Sequence, residues 1–213
     1  MDWLSKRRTG ATEATGRYTW HQQPTAKVLA LFAGKGEGED GVGFVSSASS
    51  VADDSEQHMI GVVLDCTSFY AEGGGQIYDI GELSISDGSG YFAVSQVTSF
   101  GAYTLHIGQQ VKAGTLSKGS EVVCKVDYER RANVAPNHTM THVLNFALRK
   151  VLNPSDGMCD QKGSFVDDEK LRFDFSWSGA LSVEQVAEVE DVVNDRIKKS
   201  LPVYAFIAPL EQA

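Results

Sequence analysis

The chain has 213 residues, of which 42% are hydrophobic and 22% charged, the balance of an ordinary globular protein. No apolar run approaches the roughly 20 residues that a membrane helix needs, so we expect no membrane partner. The net charge is −9 and both halves are acidic: residues 1–120 carry 8 basic and 13 acidic groups, and residues 121–213 carry 11 and 15. Composition alone therefore does not suggest a nucleic-acid partner.

The cysteines indicate a reducing environment. Cys66, Cys124 and Cys159 are odd in number, far apart and form no Cys-x-x-Cys pair. This pattern argues against a disulfide framework. Because no apolar signal segment follows Arg8 either, we expect a cytoplasmic protein.

Strand patterns dominate the first part of the chain. Residues 1–16 are polar and are predicted to be poorly ordered, and residues 26–33 are predicted to form a buried strand. Residues 34–58 are rich in Gly, Ser and acidic side chains and are predicted to be a mobile acidic loop. The spacing of the strands is typical of a compact antiparallel sheet, so residues 17–127 are predicted to form a β-barrel-like subdomain. Its other predicted strands are residues 59–65, 81–86, 92–99, 103–107 and 121–126.

Helical spacing appears after Tyr128. Apolar residues recur at helical intervals from about residue 137 to residue 152, and Asn137 is the predicted N-cap after Pro136. Two short strands are then predicted near residues 161–166 and 171–176.

A second helix begins with a capping box made by Ser182 and Gln185. Residues 128–213 are thus predicted to form an α+β subdomain, which makes the whole chain α+β. The apolar stripe of the second helix, predicted to be core, comprises Val186, Val189, Val193 and Ile197.

Two histidines form half of a possible metal site. His138 and His142 are four residues apart near the start of the first helix, so both imidazoles can reach one ion on the same helical face. Zinc is the natural ion for imidazole ligands in a cytosolic protein. Thr139 stands where zinc peptidases of the His-Glu-x-x-His type carry their glutamate, which excludes peptide hydrolysis by that route. By itself the pair is equally typical of surface histidines, and no residue after Cys159 completes the site.

Three segments in series resemble the editing region of alanyl-tRNA synthetases and of their free-standing trans-editing relatives. The first runs from Thr67 to Gln76 (TSFYAEGGGQ) and the second from Asn137 to His142 (NHTMTH). The third comprises residues 161–166 (QKGSFV) and 171–175 (LRFDF). The resemblance covers the chain from about residue 59 onward, and it is closer to the eukaryotic form of these enzymes.

The resemblance implies an activity and a metal. A pocket that accepts alanine cannot strongly reject serine or glycine, so such synthetases hydrolyse the ester of seryl- or glycyl-tRNA(Ala) in a second site. It also implies a Zn²⁺ site in which His138 and His142 are joined by a Cys-x-x-x-His pair that this sequence lacks. An aminoacylation domain is absent as well, so ATP is expected only in the parent enzyme. We therefore expect a fragment truncated before the remaining metal ligands, with tRNA(Ala) and the rest of the synthetase chain as partners.

The resemblance also implies roles for single residues. Gln161 is expected to orient substrate or water, and Thr67 is expected to line the amino-acid pocket. Plainer interpretations remain open, namely a sheet-edge amide for Gln161, a strand-end hydroxyl for Thr67 and a tight strand connection for the glycines. The residues expected to bind substrate are Gly74, Gly75, Gln76, Thr141 and Arg172.

Two alternatives to a synthetase editing domain remain. One is a free-standing trans-editing deacylase, against which the missing Cys-x-x-x-His pair counts. The other is a non-catalytic tRNA-binding module that has lost its metal.

Overall fold

The computed structural model describes residues 2–6, 9–34, 43–49, 59–112, 114–152, 158–204 and 209. Its main feature is a closed antiparallel barrel of six strands, in the order β1-β4-β7-β6-β5-β9, in which β9 pairs back with β1. Closure leaves no open sheet edge within this ring. The strands are β1 Thr25–Phe32, β2 Phe44–Val45, β3 Ser47–Ser49, β4 Met59–Leu64, β5 Gly81–Ile85, β6 Tyr91–Phe100, β7 Tyr103–Lys112, β8 Thr115–Ser117, β9 Glu121–Val126, β10 Gln161–Val166 and β11 Leu171–Phe175.

The barrel interior is filled by side chains that alternate along each strand. In β9, Val122, Cys124 and Val126 are buried, while the residues between them are not. This period of two is what a strand with one face on a core requires. Phe69 and Phe92 are the largest fully buried side chains of this interior.

The second part of the fold packs helices on a hairpin. Its helices are α2 Tyr128–Leu152 and α3 Val183–Lys199, and β10 pairs with β11 in the hairpin, whereas the short helix α1 Asp2–Lys6 packs Leu4 against the barrel strands. Leu148, Cys159 and Val189 lie at the centre of a separate apolar cluster between α2, α3 and the hairpin. The observed fold is the predicted one, a β-barrel followed by an α+β part. No helix among the described residues has the length and apolar character to cross a membrane.

The first long helix begins earlier than the sequence predicts. Helix α2 starts at Tyr128 rather than near Asn137 and continues through Pro136. Asp127 is its N-cap, because its Oδ1 accepts a hydrogen bond of 2.9 Å from the backbone N–H of Arg130. Proline removes one helical hydrogen bond, but buried residues on both sides, such as Val134 and Thr141, hold the helix by tertiary packing.

Three other expectations meet a different structure. Of residues 1–16, predicted to be poorly ordered, residues 2–6 form α1 with Leu4 buried, and residues 9–16 lie against the barrel, where the Thr12 hydroxyl donates to Leu64 O at 2.7 Å. Within the predicted loop 34–58, residues 43–49 contain β2 and β3, and residues 35–42 and 50–58 lie outside the described residues. The apolar stripe of α3 is core at Val189, but Val186 and Ile197 are 50% and 51% exposed. That prediction is wrong for these two because α3 packs mainly on α2, which covers one face.

The α2 cap can be tested by substitution. We expect Asp127→Ala to lower the free energy of unfolding by about 0.5–2 kcal/mol, because the N–H of Arg130 loses its acceptor. Asp127→Asn keeps a capping oxygen and is the matched control, so it should stay close to the unsubstituted chain. Urea unfolding measures both. Equal losses in the two variants would show that the cap does not stabilise this helix.

Candidate functional site

A glycine-rich turn between the barrel strands β4 and β5 packs against the hairpin of the second part of the fold. Gly73 and Gln76 exchange backbone hydrogen bonds of 3.1 Å, which closes the turn. Gly74 and Gly75 between them have φ angles of +61° and +83°, a region that favours glycine. A Cβ atom on Gly75 would lie 2.2 Å from Ser164 Oγ, so a larger residue cannot fit there. The turn is therefore packed closely on β10.

Backbone hydrogen bonds fix this turn to the hairpin. Val166 N–H donates to Gly75 O at 2.7 Å, and Ile77 N–H donates to Val166 O at 3.0 Å. The turn thus continues the sheet of β10 as a short parallel bridge between Gln76 and Val166. Its position relative to the second part of the fold is set by these bonds.

His138 on α2 faces the turn. Its Nδ1 lies 2.9 Å from Gln76 Oε1, and because that oxygen can only accept, Nδ1 carries the proton. The Nε2 atom is then the unprotonated nitrogen. A hydrogen-bond acceptor from the protein that holds Nδ1–H in this way is typical of metal-binding histidines, since it fixes both the ring orientation and the tautomer.

His142 lies one helical turn further along α2. The ring centroids of His138 and His142 are 5.9 Å apart and the planes are inclined by 17°, so the imidazoles stack on one helical face. Burial, with a smaller contribution from the nearby His142, lowers the pKa of His138. His138 is therefore more readily neutral than an exposed histidine, which is the form that binds metal.

The histidine pair fits part of a zinc ligand set. Among the residues that the structure describes, no group of three or more His, Cys, Asp or Glu side chains could hold a metal ion. Cys159 is buried in the apolar cluster beside α3. His138 and His142 would thus supply two ligands of such a site, in agreement with the donor chemistry of zinc.

A buried ion pair holds the connection between β4 and β5, which contains the glycine turn, against α2. Arg131 and Asp79 are each 3% exposed. Arg131 Nη2 is bonded to Asp79 Oδ2, and Nε donates to Oδ1 at 3.2 Å. The same Nη2 donates to Ser68 O at 2.6 Å, and Asp79 Oδ2 accepts from Tyr70 N–H at 2.6 Å. Both charges are therefore compensated by hydrogen bonds as well as by each other.

The histidine pair lines a cleft of about 1300 Å³. Residues of α2 form one side, and Arg17, Tyr18, Trp20 and Tyr70 from the barrel part form another. Gln76 also reaches the cleft, although it is only 4% exposed. A cleft of this size can take a ligand of several rings.

Two residues that were expected at the site make their side-chain hydrogen bonds inside the fold instead. The Thr67 side chain is buried, accepts a hydrogen bond of 3.1 Å from Phe69 N–H, and lies 2.8 Å from His106 Nε2. It lines a smaller cavity of about 300 Å³, not the cleft of the histidine pair. Thr141 is also buried and donates to His138 O at 2.7 Å within its own helix.

Gln161 and Arg172 lie on the exposed hairpin. Gln161 Nε2 donates to Ser164 Oγ at 3.0 Å, and that hydroxyl lies 3.4 Å from Gly74 O, so Gln161 is linked to the glycine turn. The Arg172 side chain is 67% exposed and pairs with Asp174 of the same strand at 3.2 Å. The structure therefore places the glycine turn beside His138 and links Gln161 to that turn through Ser164, whereas the side chains of Thr67, Thr141 and Arg172 are engaged elsewhere.

The sequence did not identify the Arg131–Asp79 pair. Arg131 belongs to none of the three motif segments, and its partner lies 52 positions away along the chain. The only local signal was the position of Asp79 directly after the glycine motif.

Comparison with known proteins matches residues 8–130 to a family model described as tRNA synthetases class II (A). The cytoplasmic alanine–tRNA ligase of Dictyostelium discoideum is 40% identical over 205 residues, which cover 95% of this chain and 20% of that protein. The cytoplasmic alanine–tRNA ligase of Drosophila melanogaster is 46% identical over 68% of this chain and 15% of that protein. The alanine–tRNA ligase of Candida albicans is 45% identical over 84% and 17%, respectively. The chain thus spans about a fifth of the length of these relatives or less.

The buried ion pair should contribute more to the free energy of unfolding than an exposed ion pair does. We expect Arg131→Met to destabilise the chain by about 3–5 kcal/mol, because Asp79 is left as an unpaired buried charge. Adding Asp79→Leu should recover part of that loss, with a coupling of about 0.5–3 kcal/mol in the double-mutant cycle. Urea unfolding of the single and double variants measures the coupling.

The matched control is the pair Lys125–Glu82, whose side chains are 43% and 34% exposed at an N–O distance of 2.8 Å. We expect Lys125→Met to cost less than about 1 kcal/mol because solvent screens this pair. Similar losses at both pairs would contradict the assigned role of Arg131.

His106 should make stability depend on pH. His106 Nδ1–H donates to Val62 O at 3.1 Å, so Nε2 accepts from the Thr67 hydroxyl. Burial lowers the pKa of His106 from 6.5 to about 4, although the bond to Val62 acts in the opposite direction. Above the pKa that His106 has in the unfolded chain, the imidazole is neutral in both states and its full contribution to the free energy of unfolding is present. As the pH falls towards 4 only the unfolded chain binds the proton, so stability is lost by up to about 1.4 kcal/mol per pH unit.

We therefore expect the unfolding free energy of the unsubstituted chain to fall between pH 7 and pH 5 more than that of His106→Gln. Urea unfolding at both pH values gives the two differences. Other groups titrate equally in both proteins, so the same fall in each would rule out a buried neutral His106.

Proposed function

Because this chain belongs to the family of class II tRNA synthetases (A), we propose that it is an editing region, which hydrolyses tRNA(Ala) mischarged with serine or glycine. The alanine–tRNA ligases that resemble it support this assignment. The observation that carries the proposal is the histidine pair on α2, with His138 oriented by Gln76 beside the glycine turn and open to the cleft. A cytoplasmic location is proposed with it, since two of the relatives are named as cytoplasmic.

Such a second site answers a physical limit on recognition. A pocket that binds alanine gains only a few kcal/mol of discrimination from one hydroxyl or one methyl group. Hydrolysis at a separate place removes the products that the first pocket fails to reject. The chain offers the oriented imidazoles and a cleft for such a reaction.

The residues around the cleft have separable tasks. A bound Zn²⁺ would supply electrostatic stabilisation of the developing oxyanion and an anchor for the ester. Gln76 accepts the Nδ1 proton of His138 and so leaves Nε2 unprotonated, and a Cβ atom on Gly74 would lie 3.5 Å from that Nε2. No described residue accepts a hydrogen bond from the backbone N–H of Gly74 or of Gly75. These amides are therefore available to the terminal nucleotide or to developing negative charge.

Gln161 has a role that depends on the glycine turn. Its amide reaches Ser164, which in turn contacts Gly74 O. We assign it to the orientation of substrate or water at the rim of the site. Its exposed position leaves the amide oxygen open to solvent and hence to a ligand.

A second candidate function is a tRNA-binding module without catalysis. It is favoured by one observation, that no third metal ligand stands beside the histidine pair among the described residues. A free-standing deacylase is the remaining enzyme alternative. Hydrolysis and metal content separate these functions.

The direct test is deacylation of seryl-tRNA(Ala). We expect zinc-dependent release of serine from this chain when it is extended past residue 213 by the corresponding part of an alanine–tRNA ligase, and loss of that activity with a chelator. The unextended chain should be much less active, because two histidines alone hold zinc weakly. Intact seryl-tRNA(Ala) after incubation with the extended, zinc-loaded chain would refute hydrolysis and leave the binding module.

Variants at Gln76 sharpen that test. In the extended chain we expect Gln76→Leu to lower activity or zinc affinity by about 10- to 100-fold, since Nδ1–H of His138 loses its acceptor. Gln76→Glu keeps an acceptor oxygen and should retain most of the activity. Equal losses in both variants would mean that Gln76 does not act through His138.

A further inference from the structure

One side of the cleft is built from a short segment near the start of the chain. A 3-10 helix, Thr15–Tyr18, places Arg17 and Tyr18 in the cleft, and Trp20 follows directly. Tyr18 is 61% exposed and Trp20 is 43% exposed. We propose that residues 17–20 form a platform for an unpaired single-stranded RNA end, with bases stacked on Tyr18 and Trp20 and a phosphate bound by Arg17. This inference rests on the proposed function and specifies how the same cleft holds its substrate.

The platform is held in place by buried contacts. Arg131 Nη1 donates to Arg17 O at 3.4 Å, which ties the segment to the buried ion pair. A Cβ atom on Gly16 would lie 3.0 Å from Thr67 O, so the backbone is packed closely on the barrel. The Trp20 ring lies 5.9 Å from the Tyr128 ring at the start of α2. The exposed rings are thus pre-positioned, which lowers the entropic cost of binding.

The aromatic rings and the guanidinium form one unit. Arg17 Cζ lies 4.8 Å from the centroid of the Tyr18 ring, and Arg17 Nη2 donates to the Tyr18 hydroxyl at 2.9 Å. No carboxylate pairs with Arg17 within the part of the chain that the structure describes. Its charge is therefore available to a phosphate, while rings beside it offer faces on which any base can stack.

The charge around the cleft fits a polyanion although the whole chain is acidic. Three arginines and two histidines line it, and no Asp or Glu stands among the described lining residues; Arg131 is already paired with Asp79, which leaves the other two arginines to face an anion. This contrasts with a net charge of −9 for the chain. Because salt screens charges beyond about 10 Å, the local set governs binding more than the total does. The five are Arg17, Arg131, Arg196, His138 and His142.

Tyr70 connects the platform to the histidine pair. The Arg17 guanidinium lies 5.9 Å from the Tyr70 ring, and the Tyr70 hydroxyl donates to Gly73 O at 2.8 Å. A Cβ atom on Gly74 would lie 3.9 Å from that hydroxyl and 3.2 Å from His138 Cε1. An RNA strand whose terminal nucleotide lies at His138 therefore reaches Tyr18 and Trp20 with its preceding nucleotides.

The test uses RNA without an amino acid. A single-stranded RNA of about eight nucleotides ending in an unpaired adenosine is titrated with this chain at low salt, and binding is measured by fluorescence anisotropy. We expect Trp20→Ala to weaken binding roughly 5- to 150-fold, and Trp20→Phe, which keeps a ring, to weaken it much less. Arg17→Ala should weaken binding and also reduce the salt dependence, by about one phosphate contact.

Controls come from exposed residues that do not line the cleft. Phe100→Ala removes an aromatic ring that is 44% exposed, and Lys118→Ala removes an exposed charge. Neither should change the affinity or the salt dependence. Thermal unfolding of each variant shows that it is folded.

Two results would overturn the platform, namely no binding of this RNA to the unsubstituted chain, or equal affinities for Trp20→Ala and Phe100→Ala. The second would indicate that the aromatic surface is covered by protein rather than by RNA. The outcome is separable from that of the proposed function because the RNA carries no ester. Binding that depends on Trp20, together with intact seryl-tRNA(Ala) after incubation with the extended, zinc-loaded chain, would refute hydrolysis and leave the platform standing.

Discussion

The buried pair of Arg131 and Asp79 is the contact on which the rest of the site depends. Burying one of these charges alone would cost several kcal/mol, so the pair is stable only with both partners and their added hydrogen bonds in place. The guanidinium bonds to Ser68 O and Arg17 O, and the carboxylate accepts from Tyr70 N–H. One arginine on α2 thereby fixes three separate segments of the barrel part. A shift of the segment that carries Asp79 would leave the buried charge of Arg131 uncompensated.

The two parts of the fold contribute different halves of the site. The barrel and its connection supply the glycine turn and Gln76, while α2 supplies the histidine pair about two to three helical turns after Arg131. Because α2 begins at the Asp127 cap, which directly follows β9, the helix direction is coupled to the barrel wall. The imidazoles thus meet the turn in a fixed geometry. The hydrogen bond between Gln76 and His138 is the point where the two halves join.

Much of this architecture could be read from the sequence, and the exceptions have common physical causes. Short apolar runs separated by Gly, Ser and Asp predicted the barrel strands, and the Ser182 capping box predicted α3, because these signals are local. The start of α2 was missed because Pro136 resembles a helix start, whereas the real cap, Asp127, stands nine residues earlier. The order of the three motifs along the chain predicted that Gln161 and the glycines lie near the histidine pair. It could not show that the Thr67 and Thr141 hydroxyls are satisfied inside the fold, since their partners depend on tertiary packing.

Total charge is a poor guide to the ligand of this chain. An acidic protein can bind a polyanion when its acidic residues are excluded from one concave surface, since screening in salt limits each charge to its neighbourhood. Around the cleft Arg131 is already neutralised by Asp79, so it acts as a support rather than as a phosphate ligand. Arg17 differs because Arg131 holds its backbone carbonyl while its side chain faces the cleft. The same ion pair that stabilises the part of the site with the histidine pair thereby also positions Arg17 at the cleft.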